Sequence, residues 1–274
     1  MKRALPGLLL VWLCLGSLSV QADPPVLRMA TTTSTENSGL LKVILPEFES
    51  RSDLDVQVLA VGTGQALQLG CNGDVDVVLV HAPAAEQKFV DDGCGVNRRR
   101  VMYNDFVIIG PPADPAAVVH SKDAADALAR IAKSRSIFVS RGDDSGTNKK
   151  ELALWQKAGV KPAGDWYREA GQGMGKVLQM TGELDGYTLT DRGTWLAYRA
   201  KSPLKILLEK DPALYNPYAV IAVNPERYPD ANYTGAMTFI AWITSREGQR
   251  MIADYRIDGQ ALFTPLAITN PGTR

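Results

Sequence analysis

Short apolar runs alternate along this chain with stretches in which apolar residues return every three or four positions. The first pattern is that of buried strands, the second that of helices with one apolar face. Residues 26–30, 56–61, 75–80, 136–140, 186–190, 204–208 and 218–223 read as strands, and 100–110 as one long strand closed by Pro111 and Pro112. Leu40, Leu41, Ile44, Leu45 and Phe48 recur at helical spacing. Further helices are predicted at 64–70, just after residue 80, at 121–133, at 145–158 with Gly159 as the stop, at 235–244 and at 246–254. This alternation predicts an α/β fold in which helices flank mainly parallel sheet. The strands around 104–109 and 215–222 are the two places where the chain can cross between lobes. A discontinuous first lobe, 23–103 plus 224–274, and a second lobe, 104–223, are expected, with a ligand cleft between them.

Residues 1–22 have the form of a secretory signal peptide, with Lys2 and Arg3 at its start, an apolar core over 8–15 and a small-residue cleavage site at Val20, Gln21 and Ala22. Cys14 lies inside that core without the small residue that precedes a lipid-modified cysteine. A soluble periplasmic protein, exported across the inner membrane, is therefore expected. No other stretch is long and apolar enough to span a bilayer. The whole chain balances 30 Lys plus Arg against 30 Asp plus Glu, so losing Lys2 and Arg3 leaves a net charge of about −2. That charge excludes nucleic acid as a partner, since its binding needs a basic patch. Arg98, Arg99 and Arg100 form the one basic cluster and read as a solvated entry to the following strand. Cys71 and Cys94 remain in the mature chain. An even count in an oxidising compartment favours a disulfide, with two buried thiols as the alternative.

Candidate chemistry gathers where strands end. Thr31, Thr32, Thr33, Ser34 and Thr35 place five hydroxyls between a strand and a helix whose start falls at Ser34, Thr35 or Ser38. Free helix N–H groups, the positive end of the macrodipole and neighbouring hydroxyls can together hold an anion. Gly62-Thr63-Gly64 repeats this arrangement, as does the segment 140–147, in which Arg141, Ser145 and Thr147 surround a tight Gly142 turn. Gly171-Gln172-Gly173-Met174-Gly175 opens another helix, and Tyr187-Thr188-Leu189-Thr190-Asp191 leads into the helix that carries Trp195. Asp143 and Asp144 read as helix caps that orient Arg141, because adjacent carboxylates point apart and lack the spacing of a calcium loop. His81 and His120, the only histidines, stand outside the hydroxyl motifs, so no base is suggested beside Ser34 or Ser145. Trp155, Trp166, Trp195 and Trp242 read as core.

The strings ATTTSTENSGLL, SRGDDSGT, GMG and YTLTDRGTW, in this order and spacing, resemble the Tup-type tungstate-binding proteins of bacterial ABC importers. The resemblance covers nearly the whole mature chain, and its most diagnostic piece is the TTTS string. It implies a two-lobed periplasmic binding protein of type II, each lobe a mainly parallel sheet flanked by helices and joined by two crossing strands. It further implies a tetrahedral oxyanion ligand, tungstate or molybdate, held by N–H groups and hydroxyls, and Arg141 as the matching cationic residue. The expected ligand set is Thr32, Thr33, Ser34 and Thr63 from the first lobe with Arg141, Ser145, Thr147, Gly173, Met174 and Thr188 from the second. No catalytic residue, cofactor or free metal cation is expected. The implied partners are a membrane permease and a cytoplasmic ATPase, the protein itself being a monomer. The competing readings are an exported hydrolase or transferase acting on a phosphate or sulfate ester, and an oxyanion-sensing module.

Overall fold

A computed structural model describes residues 24–267, so the expected signal peptide lies outside the described residues. The chain runs through β1 (Val26–Thr32), α1 (Thr33–Asn37), α2 (Leu40–Ser52), β2 (Asp55–Val61), α3 (Thr63–Asn72), β3 (Val77–Val80), α4 (Pro83–Asp91) and β4 (Gly95–Gly110). There follow α5 (Ala124–Ser134), β5 (Phe138–Ser140), α6 (Gly146–Lys157), β6 (Tyr167–Glu169), α7 (Met174–Glu183), β7 (Thr188–Asp191), α8 (Arg192–Tyr198) and β8 (Lys205–Leu208). The chain then returns through β9 (Tyr215–Val223), α9 (Tyr233–Ile243), α10 (Arg246–Asp254) and the short strands β10 (Arg256–Ile257), β11 (Gln260–Ala261) and β12 (Thr264–Pro265). No helix among the described residues is long and apolar enough to cross a membrane.

The principal sheet has the order β12-β4-β9-β3-β1-β2. β1 lies between β2 and β3 and is parallel to both, and the four residues of β3, Val-Val-Leu-Val, are all buried, as a strand covered on both faces requires. β9 runs antiparallel to both β3 and β4, so the sheet is mixed rather than mainly parallel. The cause is the connectivity. β4 leaves this sheet, and at Phe106–Gly110 it becomes the antiparallel partner of β7 and β8 in a second layer before β9 brings the chain back. β5 and β6 are parallel beside it, with a bridge from Phe138 to Tyr187. Two long strands thus connect two lobes.

Three apolar clusters support this frame. One, with Phe138, Trp155, Leu128 and Ile131, fills the second lobe, and one, with Val78, Val80, Phe89 and Ile221, lies under α3 and α4. The largest includes Leu27, Phe48 and Phe239 together with Val177 and Trp195, so it continues from one lobe into the other. The aromatic residues predicted as core are in these clusters, Trp155 and Trp195 buried and Trp166 and Trp242 partly so. Cys71, near the end of α3, and Cys94, just before β4, form a disulfide.

Three local expectations are corrected. The helix after β1 is broken: Thr32 caps a five-residue α1, and Gly39, at φ 79°, separates it from α2. A Cβ on Gly39 would stand 2.7 Å from the Tyr255 hydroxyl, which donates to the Ser38 carbonyl. The arginine cluster lies inside β4, whose pairing with β9 starts at Gly95, and Arg98 is drawn inward to the buried Glu86 at 2.6 Å. Finally, Ser145 rather than an aspartate caps α6, accepting the Asn148 N–H, while Asp144 is exposed and pairs with Lys149.

Candidate functional site

Because β1, β2 and β3 are parallel, their C-terminal ends lie along one edge of the sheet. They deliver Thr32, Thr63 and His81 there. Ligands of open α/β sheets bind beyond such strand ends. The Thr32 hydroxyl lies 2.7 Å from that of Thr35 and 3.0 Å from that of Ser34, and it accepts the Thr35 N–H. Ser34 Oγ is in turn 3.2 Å from His81 Nε2, and His81 Nδ1 is 2.9 Å from the side-chain oxygen of Asn216 on β9. The imidazole stacks on Tyr218 at 4.7 Å between centroids. Burial pushes the His81 pKa down to about 4, further lowered by the charges of Arg141 and Lys150 and opposed only by the bond with Asn216. His81 is thus neutral at physiological pH.

The second lobe contributes charge. Arg141 follows β5, is 5% exposed, and gives Nε and Nη2 to Asp143 at 3.0 and 2.5 Å. Asp143 also accepts the Ser145 N–H, which ties the guanidinium to the start of α6. The turn is braced from behind by Glu151, which is buried and accepts hydrogen bonds from Ser140, Trp155 and Tyr167. Burial raises the Glu151 pKa against those three donors. Asp191 caps α8 through the N–H and hydroxyl of Thr194. Its burial also raises its pKa, against the Thr194 bonds and the nearby charge of Arg141.

These two halves touch. A Cβ on Gly64, in the first lobe, would stand 2.6 Å from an Asp144 carboxylate oxygen. A Cβ on Gly146, at the start of α6, would stand 2.8 Å from His81 Cε1 and 3.0 Å from Thr63 Oγ1. Glycine at 146 therefore permits the close approach. Where the halves meet, Thr63 Oγ1 from α3 and Thr147 Oγ1 from α6 are both buried with no hydrogen-bond partner among the described residues. A buried, unpaired hydroxyl costs about 1–3 kcal/mol unless something bonds to it.

Of the residues expected at the ligand, Thr32, Ser34, Thr63, Arg141, Ser145 and Thr147 are buried at these strand and helix ends, and Thr33 is half-buried as the first residue of α1. The remaining three differ. The Thr188 hydroxyl is bonded to the Val139 carbonyl, the Met174 side chain packs in the largest apolar cluster, and Gly173 is exposed at the start of α7. Sequence reasoning missed His81, Asn216 and Asp191. It placed no base near Ser34, and the structure puts His81 within hydrogen-bond reach of it. His81 follows a buried strand as the hydroxyl motifs do, which was the available signal. That strand's parallel pairing with β1, visible only in the fold, brings it to Ser34.

Fold and site together define a two-lobed α/β binding protein whose lobes meet at a buried cluster of polar side chains. The model of the PBP superfamily domain matches residues 19–247. The tungstate-binding protein TupA of Peptoclostridium acidaminophilum is 49% identical over 243 residues, covering 87% of this chain and 85% of its own. Among solved structures, the tungstate ABC transporter protein of Geobacter sulfurreducens is similar at 56% identity and a TM-score of 0.78, over 84% of this chain and 98% of the other. The tungstate-binding protein TupA of Desulfovibrio alaskensis G20 is similar at 48% identity and a TM-score of 0.78, over 89% and 100%. The chain belongs to the PBP superfamily and, within it, to the family of these TupA binding proteins.

Proposed function

We propose that this chain is the periplasmic solute-binding component of an ABC importer, capturing tungstate, and to some degree molybdate, between its lobes for delivery to a permease driven by a cytoplasmic ATPase. The observation that carries this reading is the pair of buried, unpartnered hydroxyls, Thr63 from one lobe and Thr147 from the other, beside the buried Arg141. They are donors waiting for an acceptor, and a tetrahedral dianion offers acceptors on every side. In this reading Thr32, Thr33, Ser34 and Thr63 meet Arg141, Ser145 and Thr147 around one anion. The side chains of Met174 and Thr188 are engaged elsewhere, and in this reading Gly173, which has no side chain, contributes through the backbone at the start of α7. The lobes are taken as 23–103 plus 224–274 and 104–223, and the protein works as a monomer. Closing them around the ligand changes the surface offered to the permease.

The role is capture and not turnover. Although His81 lies beside Ser34, an imidazole whose pKa is held near 4 is a weak base for activating a hydroxyl. Calorimetry against tungstate, molybdate, sulfate and phosphate tests the proposal. Tight binding of tungstate with weak binding of phosphate at neutral pH is expected, because donors alone cannot satisfy the proton of hydrogen phosphate. Phosphate affinity equal to that for tungstate would overturn it.

A further inference from the structure

Behind the hydroxyls of the first lobe runs a chain of buried side chains that ends in the crossing strands. Ser34 meets His81 at 3.2 Å, His81 meets Asn216 at 2.9 Å, and Asn216 meets Asn104 of β4 at 2.7 Å. Asn216 is also 3.3 Å from the Tyr218 hydroxyl. With His81 neutral, only two proton orders are self-consistent along this chain. In the first, His81 Nδ1–H donates to Asn216 Oδ1, Asn216 Nδ2 donates to Asn104 Oδ1, and Nε2 must accept the Ser34 proton. That order leaves Asn104 Nδ2 buried with no partner among the described residues. In the second, both amides are turned end for end. Asn104 Nδ2 donates to Asn216 Oδ1, Asn216 Nδ2 donates to His81 Nδ1, and Nε2–H donates to Ser34 Oγ.

The second order is favoured twice. It gives the Asn104 amide nitrogen an acceptor and leaves an unpartnered carbonyl instead, which buried protein tolerates better than an unpartnered N–H. It also frees the Ser34 proton for the ligand when Thr32 accepts both the N–H and the hydroxyl of Thr35 and donates its own proton to Ser34, whereas the first order turns a lone pair of Ser34 toward the ligand, and a lone pair repels an anion. Stacking on Tyr218 holds the ring in the plane that both contacts need.

We infer that His81 is a positioning residue that sets the polarity of Ser34: in the ligand-loaded protein the imidazole is the neutral Nε2–H tautomer, and Ser34 is therefore a donor to the anion. The inference rests on the oxyanion-binding reading above and adds a discriminating element to it. With His81 Nε2–H on one lone pair of Ser34 and the Thr32 hydroxyl, 3.0 Å away, donating to the other, that hydroxyl has no lone pair left for a proton carried by the ligand, so protonated anions are rejected at this corner of the site.

The test uses the full mature chain labelled with nitrogen-15 in histidine. His81 and the exposed His120 are the only histidines in the sequence, and His120→Gln identifies the His81 signals. In tungstate-saturated protein, His81 Nε2 is expected in the protonated, pyrrole-type range and Nδ1 in the pyridine-type range. Protonated Nδ1 in the saturated protein overturns the inference and leaves the binding reading standing. No heat with any oxyanion in the unaltered protein removes that reading, and this inference with it. A second arm compares variants by calorimetry. His81→Gln carries an N–H to the same place and should keep the preference for tungstate over phosphate. His81→Phe should narrow that preference about tenfold, since Ser34 is then free to accept a ligand proton. An unchanged preference in His81→Phe overturns the inference, and if that variant does not fold, the spectrum of the unaltered protein decides alone.

Discussion

The two halves of the proposed site differ in how each would present donors to a ligand. The first lobe presents neutral hydroxyls already bonded to one another, with Thr32, Ser34 and Thr35 mutually linked and backed by a neutral His81. The second presents a full charge, Arg141, restrained by Asp143 and faced by the buried Asp191. A neutral, fixed network binds through dipoles that need little reorganisation, whereas the charged half owes its strength to being desolvated and aimed. On the proposed reading the lobes supply different terms: charge recognition from the second, geometric and protonation selectivity from the first.

The comparison would break first at Arg141. Arg141→Ala is expected to weaken tungstate binding by about 2–4 kcal/mol, the range for truncating one partner of a buried, hydrogen-bonded charge pair. Arg141→Lys should fall between, keeping the charge but losing the planar fork. Titration together with the melting temperature of the free protein checks this. A variant that melts early yet binds normally would reduce Arg141 to the structural partner of Asp143.

For the first lobe the corresponding lever is pH. The folded His81 pKa of about 4 lies below its ordinary 6.5, so the unfolded chain binds more protons between those values. Stability from His81 is therefore complete above about pH 6.5 and is lost as pH falls toward 4, by roughly 3 kcal/mol in all. The buried acids Glu86, Glu151 and Asp191 have raised pKa values and act with the opposite sign. The measurement is accordingly a difference: urea unfolding of the protein and of His81→Gln from pH 7 to 4. Parallel stability curves would show that His81 does not titrate in this window.

A covalent asymmetry accompanies the electrostatic one. The disulfide Cys71–Cys94, which closes a separation of 23 residues, ties α3 to β4 in the first lobe. Replacing both cysteines with serine should cost on the order of 3 kcal/mol of stability by the chain-entropy estimate, with little change in tungstate affinity. An affinity loss as large as that of Arg141→Ala would show that the staple positions the site as well as the lobe.

How far this division can be read from the sequence differs between the halves. Both sets of hydroxyl motifs are legible, because strand ends marked by Thr, Ser and Gly are local signals and the parallel α/β layout sends such ends to one cleft. The long crossing strand is legible in part: apolar residues at 101–103 and 106–109 flank Asn104 and Asp105, while its start at Gly95 precedes the predicted start at residue 100. The rest depends on pairing between distant segments. Residues 135 apart make the contact between His81 and Asn216, and nothing beside Asp191 in the sequence shows that the charge of Arg141 comes near it. Gly39 breaks the first helix for the sake of Tyr255, more than two hundred residues later, which no local pattern announces.

The finest test treats Thr63 and Thr147 as equivalents across the cleft. Both hydroxyls are buried with no hydrogen-bond partner among the described residues, so Thr→Val at either position keeps the shape and removes a polar group that no described protein atom satisfies. Two quantities should then move in opposite directions. The free protein should melt at the same or a higher temperature, because an unpaired buried hydroxyl is replaced by a methyl group. Tungstate binding should weaken by roughly 1–2 kcal/mol per site, since one neutral donor is lost while the surrounding N–H groups remain. If both hydroxyls bond one anion, the double variant should lose less than the sum, because each bond helps to orient the same ligand for the other. A fall in melting temperature at either position, with affinity unchanged, would instead make that hydroxyl part of the fold and confine the ligand to the other lobe's donors.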